Sequence, residues 1–319
     1  MKKKITIAVL AGGDSAEREV SLQSGEAVAR ALRQKGFAVL RFDPKNELPK
    51  FLAAQNKIDV VFPALHGRGG EDGEIQKLLE KLKIPFVGSN VQGMQNSFDK
   101  ITAKKIYRRN KLPVARDQIF PKDSAAKLKL KLPVFVKPAD EGSSFGASLV
   151  QQESEFAPAL RRAWKFGHAL VEEYLRGTEI SVGVLQNSNP SHSGQADLTA
   201  LPSIEICPKK KFFDFAAKYD SKFCEEICPA RIPPLLEKKV RRLAEKAHRV
   251  LQLKDLSRTD FILVGKKIYL LETNTLPGFT ANSLLPKEAA AAGIPFPDLV
   301  EKLIRLPLRG KDRKDDKEP

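Results

Sequence analysis

The sequence predicts a multi-domain protein of mixed α/β and α+β class that opens with a parallel sheet. Its 319 residues exceed the usual size of one domain, which favours two or three packed units. Strands alternate with helices over about the first ninety residues, the pattern of a parallel sheet. With 42% hydrophobic and 29% charged residues, the composition is that of a globular protein with a large core.

The first unit begins with a β-rich apolar run at residues 5–10, which ends before Gly12 and Gly13. Apolar side chains at helical spacing predict a helix at 25–35. Three further strands are predicted at 39–42, 60–65 and 86–88, and a helix at 74–82. The second half of a Gly-x-Gly-x-x-Gly fingerprint is missing after Gly13, so a nicotinamide enzyme is not expected.

The middle of the chain has an α+β pattern. A helix at 99–110 leads to strands at 132–137 and 147–150, which form a hairpin around a glycine- and serine-rich loop. Helical spacing at 157–164 and a strand at 170–174 continue the pattern. A third unit follows from about residue 182, and it contains a helix at 235–251 and a hairpin at 259–274.

Several function classes are disfavoured by simple features of the chain. No apolar run approaches the roughly 18 residues that would span a bilayer, so no membrane insertion is expected. The basic, then apolar, start resembles a signal peptide, but acidic residues stand where a cleavage site would lie, and a cytoplasmic protein is predicted. Three cysteines, Cys207, Cys224 and Cys228, make neither a disulfide framework nor a complete zinc set.

The net charge of +16 raises the alternative of a polyanion-binding protein. The basic residues are scattered along the chain, however, without interleaved aromatic residues or a nucleic-acid-binding motif. Solvated basic surfaces are therefore the favoured interpretation, and no nucleic-acid partner is predicted.

The predicted hairpin at 259–274 brings polar side chains together. With a three-residue loop at 265–267, Asp260 faces Glu272 and Arg258 faces Asn274. Period-two alternation puts these four residues on one face of the hairpin. The opposite, core-facing side is predicted to carry Phe261, Leu263, Tyr269 and Leu271.

Two carboxylates and an amide carbonyl at one end of a hairpin offer the hard oxygen ligands that Mg²⁺ prefers. Arg258 beside them could hold an anionic reaction centre. The alternative is a surface hairpin in which Arg258 and Asp260 form a solvated ion pair.

Two other segments are candidates for binding anions. Lys137 stands at a strand end before a loop with Gly142 and Ser143, whose N–H groups could cradle phosphate, although it is not a Walker A loop and such residues also mark ordinary turns. His66 follows a strand of the first sheet, where open α/β sheets bind ligands, and is accompanied by Gly67 and Gly70. A lone histidine is more often structural.

Taken in order, these segments resemble the D-alanine–D-alanine ligase family of the ATP-grasp superfamily. The resemblance rests on six motifs between the first strand and about residue 305. They are Gly12-Gly13 to Leu22, Leu65-His66-Gly67 to Gly73, Lys137-Pro138 to Ser144, Lys218-Tyr219, Asp260 to Asn274, and Pro277-Gly278 to Leu284.

The resemblance implies a three-domain ligase with units at 1–92, 93–181 and 182–310, followed by a charged, disordered tail at 311–319. It implies ADP-forming ligation of two D-alanine molecules for peptidoglycan precursors through an acyl phosphate, in a cytoplasmic homodimer. Motif matching places around ATP the residues Lys100, Lys137, Glu172, Leu175, Glu179, Phe212 and Lys218. Two Mg²⁺ ions, replaceable by Mn²⁺, would be held by Asp260, Glu272 and Asn274, with Glu272 bridging.

The resemblance also implies substrate and catalytic residues. Glu17 would anchor the ammonium of the first D-alanine and would be linked through Ser143 to Tyr219 on a closing loop. The remaining positions are His66 near the first substrate's carboxylate, Ser283 and Leu284 at the carboxylate of the second, and Arg258 with the Gly278 N–H at the tetrahedral oxyanion.

The chain departs from the family pattern at a few positions, which are Ala216, the neighbours Ser257 and Thr259 of the arginine, Thr273 and Leu276. Ala216 puts closure of the loop in question. Tyr219 favours D-alanine as second substrate, because relatives that make D-alanyl-D-lactate usually carry histidine there. A ligase that uses D-lactate or D-serine second is the alternative within the family.

Overall fold

The computed structural model describes residues 4–142, 145–187, 197–208 and 224–315. Four predicted site residues and one departure from the family pattern lie outside these ranges, namely Ser143, Phe212, Lys218, Tyr219 and Ala216. Within them, no helix is long and apolar enough to cross a membrane.

The first unit is built on a parallel three-stranded sheet of order β2-β1-β3, as predicted. The strands are β1 (Thr6–Leu10), β2 (Ala38–Phe42) and β3 (Val60–Pro63). The strand predicted at 86–88 is reduced to one parallel bridge between Val61 and Phe86. The helices are α1 (Arg18–Gln34), α2 (Pro44–Ala54), α3 (Glu74–Lys81) and α4 (Val91–Phe98), with a 3-10 turn at Gln55–Lys57.

Helix α1 begins at Arg18, well before the predicted start at residue 25. Its first turns bury serines rather than apolar residues, so the hydrophobic period does not show there. The Ser21 hydroxyl donates to the Ala64 carbonyl and accepts the Gly12 N–H at 2.8 Å. These bonds fix the start of α1 against the carboxyl ends of β1 and β3.

The second unit is an antiparallel sheet of order β4-β7-β5-β6. Its strands are β4 (Asp117–Phe120), β5 (Val134–Pro138), β6 (Ser148–Val150) and β7 (Ala169–Glu173). The predicted hairpin of β5 and β6 is confirmed by their antiparallel pairing. Helix α6 (Glu153–Ala163) packs on this sheet, whereas α5 (Lys100–Arg109) buries Ala103 and Tyr107 in the core of the third sheet.

The third sheet has the order β11-β10-β8-β12-β13, with β9 paired to β8. Its strands are β8 (Thr178–Gln186), β9 (Leu198–Ala200), β10 (Ile204–Pro208), β11 (Cys224–Ile227), β12 (Leu256–Val264) and β13 (Lys267–Asn274). The predicted boundary at residues 181–182 falls inside β8, which pairs with β12 along its length.

Three helices lie in the described residues of the third part of the chain. They are α7 (Pro234–Val250), α8 (Leu284–Ala291) and α9 (Phe296–Asp315). Helix α9 continues into the segment predicted to be a disordered tail, because its lysines and arginines are good helix formers despite their charge. Leu299 and Leu303 of α9 share a buried core with Val28 and Leu32 of α1. The C-terminal helices therefore close the core of the N-terminal unit.

The hairpin of β12 and β13 differs from the predicted one at its turn. Val264 faces Lys267, so the loop has two residues, and a register shift follows between Asp260 and Phe261. Beyond the shift the predicted pairs Asp260–Glu272 and Arg258–Asn274 are confirmed.

The core-facing residues of β13 were predicted one position too far toward the C-terminus. Ile268 and Leu270 pack in the core with Phe261 and Leu263, whereas Tyr269 and Leu271 do not belong to that cluster. The two-residue turn is the cause, because it shifts the alternation of the strand by one residue.

Candidate active site

A cavity of about 440 Å³ lies where the three units meet. It brings together the polar face of the β12–β13 hairpin, the start of α5 and the loop that leads into α8. The predicted site residues among its lining are Glu17, His66, Lys100, Glu179, Arg258, Asp260, Glu272, Asn274, Gly278, Ser283 and Leu284. The predicted residues Lys137, Glu172 and Leu175 are not part of this lining.

The carboxylate of Asp260 is the centre of a dense hydrogen-bond network. Arg258 donates two bonds to it, from Nε at 3.0 Å and from Nη2 at 2.8 Å. Ser181 Oγ donates at 2.6 Å from the neighbouring strand β8, and Asn274 Nδ2 donates at 3.1 Å. Burial alone would lower the pKa of Arg258, but the attraction and hydrogen bonds of Asp260 outweigh it and raise that pKa above the ordinary value.

Glu272 lies beside this network, directly opposite Asp260. Two carboxylates and the side-chain amide of Asn274 form a hard-oxygen donor set that fits Mg²⁺ once the amide presents its oxygen. In the described part of the chain, no group of three or more acidic, histidine or cysteine side chains is placed to hold a metal ion by itself. Phosphate oxygens and water would therefore have to complete the coordination, as is usual for Mg²⁺ at nucleotide sites.

Lys100 connects the second unit to this cluster. It is the first residue of α5, after the N-cap Asp99, whose side chain accepts the Ile101 N–H at 2.9 Å. Its Nζ donates to the Glu141 carbonyl at 2.5 Å and lies 3.8 Å from Glu272 Oε2. A cation is thus fixed at the edge of the carboxylate pair.

Lys137 and Glu172 form a buried ion pair on adjacent strands β5 and β7, with 2.6 Å between Nζ and Oε2. Burial alone would raise the pKa of Glu172, but Lys137 and Lys104 outweigh it and lower that pKa to about 2. Burial likewise opposes the charge of Lys137, yet Glu172 raises its pKa. Both groups are charged at neutral pH.

Glu17 stands at the far end of the cavity, at the entry to α1. Its Oε2 lies so close to Gly67 and Gly142 that a Cβ on either glycine would approach it to 3.3 Å. Gly67 also has a positive φ of 67°, which favours glycine. The loop after β3 and the glycine-rich loop after β5 therefore close around this carboxylate.

His66 is buried next to Glu17 and binds the backbone of the C-terminal unit. Its Nδ1 donates to the Leu276 carbonyl at 3.1 Å, which leaves Nε2 as an acceptor facing Ser24 Oγ at 3.5 Å. Burial lowers the pKa of His66, more than the Glu17 carboxylate raises it. The ring is neutral at pH 7.

Glu71 was not singled out from the sequence, although it lies inside the glycine-rich motif that follows β3. Its Oε2 accepts the Gly67 N–H at 2.9 Å, and it lines the cavity. Burial and the neighbouring Glu17 raise the pKa of Glu71 to about 8. Near neutral pH the Glu71 side chain is therefore a protonated acid.

The loop before α8 presents small groups to the cavity. Ser283 Oγ accepts the Thr280 N–H at 3.0 Å, and a Cβ on Gly278 would lie 2.6 Å from that hydroxyl. Phe279 anchors the loop by packing edge-on against Phe62 of β3, with ring centroids 5.1 Å apart. Since Ser283 is the N-cap of α8, the free N–H groups of the first turn make a suitable place for a carboxylate.

Comparisons with known proteins agree with this geometry. The family model of the D-ala D-ala ligase C-terminus matches residues 105–305, and that of the N-terminus matches 43–89. The D-alanine–D-alanine ligase of Syntrophobacter fumaroxidans is 46% identical, with 96% of this chain and 98% of that protein covered. That of Geotalea uraniireducens is 45% identical, with 93% and 94% covered.

The chain belongs to the D-alanine–D-alanine ligase family. Among solved structures, the D-alanine–D-alanine ligase of Bacillus anthracis complexed with ATP superimposes with a TM-score of 0.82 at 28% identity. The match covers 97% of this chain and 99% of that one. The ATP-grasp architecture expected for this family is therefore confirmed.

The sequence analysis also did not identify Lys104, a buried residue of this fold. Lys104 is 2% exposed and contacts Glu172, Asp117 and the Ala115 carbonyl. The signal was present, because Lys104 follows Lys100 by one helical turn and so projects from the same side of α5. Its partners, by contrast, come from β4, which was not predicted, and from β7, whose position beside α5 does not follow from the sequence.

Proposed function

We propose that this protein ligates two D-alanine molecules to D-alanyl-D-alanine, with conversion of ATP to ADP and phosphate. The observation that carries the proposal is that one cavity is lined by Asp260, Glu272 and Asn274 together with Glu17 and His66. Full-length similarity to D-alanine–D-alanine ligases supports the substrates.

The first step activates a carboxylate. An oxygen of the first D-alanine's carboxylate attacks the γ-phosphorus of ATP, and ADP leaves, which gives an acyl phosphate. Mg²⁺ held by Asp260, Glu272 and Asn274 would neutralise phosphate charge when bound. Lys100, fixed at the edge of this cluster, adds positive charge where the γ-phosphate would lie.

Glu17 is assigned the ammonium of the first D-alanine, because its carboxylate lines the cavity and its neighbours Gly67 and Gly142 carry no side chain. His66 acts through the protein backbone. Its neutral ring has a single N–H group, which donates a hydrogen bond to the Leu276 carbonyl. We therefore assign His66 to orienting the loop of Gly278 rather than to donating to a substrate carboxylate.

In the second step, the deprotonated amine of the second D-alanine attacks the acyl carbon, and phosphate leaves from the tetrahedral intermediate. Arg258 and the Gly278 N–H are assigned to the oxyanion. Ser283 and Leu284 are assigned to the carboxylate of this substrate, at the first turn of α8. Water must be excluded, since it would hydrolyse the acyl phosphate.

The test is a substrate panel with purified protein, Mg·ATP and D-alanine, alone or with D-lactate or D-serine. We expect release of phosphate and, by mass spectrometry, a D-alanyl-D-alanine product. Turnover only with D-lactate or D-serine would reject the second substrate and leave the phosphoryl chemistry intact.

Asp260→Asn provides the control, because it keeps the side-chain shape and removes the charge. We expect at least a 100-fold loss of turnover, the usual scale for removing an electrostatic group at a reaction centre. The polyanion-binding alternative predicts steeply salt-dependent nucleic-acid binding that Asp260→Asn leaves unchanged, with no ATP turnover in either protein.

We also propose features that family membership supports. These are two Mg²⁺ ions replaceable by Mn²⁺, a homodimer, action in the cytoplasm for peptidoglycan synthesis, and the division into three units at 1–92, 93–181 and 182–310. The nucleotide contacts proposed for Lys137, Glu172, Leu175, Glu179, Phe212 and Lys218, and the closing-loop roles of Ser143 and Tyr219, belong to the same proposal. Light scattering in solution tests the dimer.

A further inference from the structure

A row of alternating charges runs from the buried edge of the second unit to its surface. Lys137 pairs with Glu172, and Glu172 also accepts from Lys104. Lys104 in turn lies 3.2 Å from Asp117 Oδ1, and Asp117 pairs with Arg108. Lys104 and the side chains of both acids are almost fully buried, whereas Arg108 is half exposed.

Glu172 has two cationic partners, one on each carboxylate oxygen. Lys137 is at Oε2 and comes from β5, while Lys104 is at Oε1 and comes from α5. Lys137 is assigned to the nucleotide by the proposed function, so a bound phosphate would compete with Glu172 for the Lys137 ammonium group. A buried carboxylate left without a partner is strongly destabilising. The second lysine removes that problem.

We propose that Lys104 is a positioning residue of the nucleotide site, which keeps Glu172 neutralised and in place so that Lys137 is released to bind ATP. This inference rests on the proposed function for its nucleotide. Lys104 touches neither ATP nor the reacting atoms in this role. It acts through Glu172, and its own place is fixed by Asp117 and by the Ala115 carbonyl at 3.2 Å.

The two basic residues of α5 have different consequences when removed. Without Lys104, Lys137 is the one cationic partner left to Glu172 among the described residues, while Asp117 still has Arg108. Without Arg108, Glu172 keeps both lysines, and Asp117 still has Lys104. Arg108→Met is therefore a matched control, since it removes a cation from the same helix and the same row without touching Glu172.

The experiment compares Lys104→Met with Arg108→Met in the full chain. We expect Lys104→Met to raise the KM for ATP about tenfold, equivalent to ~1.4 kcal/mol, with kcat and the KM for D-alanine changed less than twofold. Arg108→Met should leave all three constants near wild type. Lys104→Arg, which restores a cation, should recover most of the ATP affinity.

A thermodynamic cycle with Glu172→Gln tests the route of the effect. Lys104→Met raises the KM for ATP by some factor in the wild-type background. If Lys104 acts through Glu172, that factor should be at least five times smaller in the Glu172→Gln background. An unchanged KM for ATP in a folded Lys104→Met protein would overturn the inference, and so would an equal effect in both backgrounds.

Calorimetric binding of ATP without D-alanine separates this inference from the proposed function. A wild-type protein that makes no dipeptide would refute the function, while the effect of Lys104→Met on the Kd for ATP still decides the inference. If Lys104→Met does not fold, the cycle is carried out with Lys104→Gln, which keeps a donor for the Ala115 carbonyl. An unaltered Kd in that variant would likewise overturn the inference.

Discussion

Asp255 is a buried acid whose replacement should stabilise the protein. It precedes β12, and its Oδ2 accepts the Gly88 N–H from the first unit at 2.8 Å. Burial raises the pKa of Asp255 from 3.8 to about 7, more than the Gly88 bond and Lys254 lower it. We expect Asp255→Asn to remove this cost, since an amide keeps an oxygen for Gly88 and resembles the protonated acid.

The magnitude follows from the difference between the folded and unfolded pKa values. A rise from 3.8 to about 7 corresponds to about 4 kcal/mol, at 1.36 kcal/mol for each unit. Below pH 3.8 both states are protonated and the wild type bears no penalty. As the pH rises, the unfolded state ionises first, so stability falls until the folded acid also ionises near pH 7. Above that pH the full penalty remains.

The assay is urea unfolding of wild type and Asp255→Asn between pH 4 and 8. The gap between the two proteins should be small at pH 4, widen with pH and level off above pH 7 at a few kcal/mol in favour of the variant. Asp123→Asn is the matched control, because Asp123 is exposed and shares the positive φ of Asp255, 60° against 61°. A gap that is independent of pH, or a variant no more stable than wild type at pH 7.5, would refute the reasoning.

Two further predictions follow from the site and its hairpin. Glu17→Gln should raise the KM for the first D-alanine by about 30-fold, which is the equivalent of losing a hydrogen bond to a charged group. Glu19→Gln is the control and should leave this KM unchanged, because Glu19 is exposed. Steady-state rates at saturating ATP measure both variants. Ile268→Ala should lower the free energy of unfolding in urea by about 2–4 kcal/mol, and Leu271→Ala by less than half as much. The reason is that Ile268 lies in the buried core and Leu271 does not. Equal losses of stability in the two variants would contradict the observed register.

The polar face of the hairpin was predictable from local periodicity, whereas the three-domain fold was predicted from the family resemblance that the ordered motifs carry. The charge row of the second unit was not predictable in the same way. Lys104 and Glu172 are 68 residues apart in sequence, and their contact depends on how α5 packs beside β7. Lys137 and Glu172 were both assigned to the nucleotide, yet no sequence pattern indicated that they pair with each other.

The hairpin shows how a correct site can come from an incorrect turn. Asp260 faces Glu272 if the loop has three residues and the strands are regular, and equally if the loop has two residues and one extra residue is bulged in β13. Both arrangements take up the same number of residues between the two carboxylates, so the predicted site is insensitive to the choice.

The choice matters only between the turn and the bulge. There it decides whether Ile268 and Leu270, or instead Tyr269 and Leu271, enter the core. All four are residues that strands favour, so hydrophobicity does not separate the two registers. The chain adopts the one that buries aliphatic side chains against Phe261 and Leu263 and leaves the phenol of Tyr269 outside that core, where its hydroxyl can reach water.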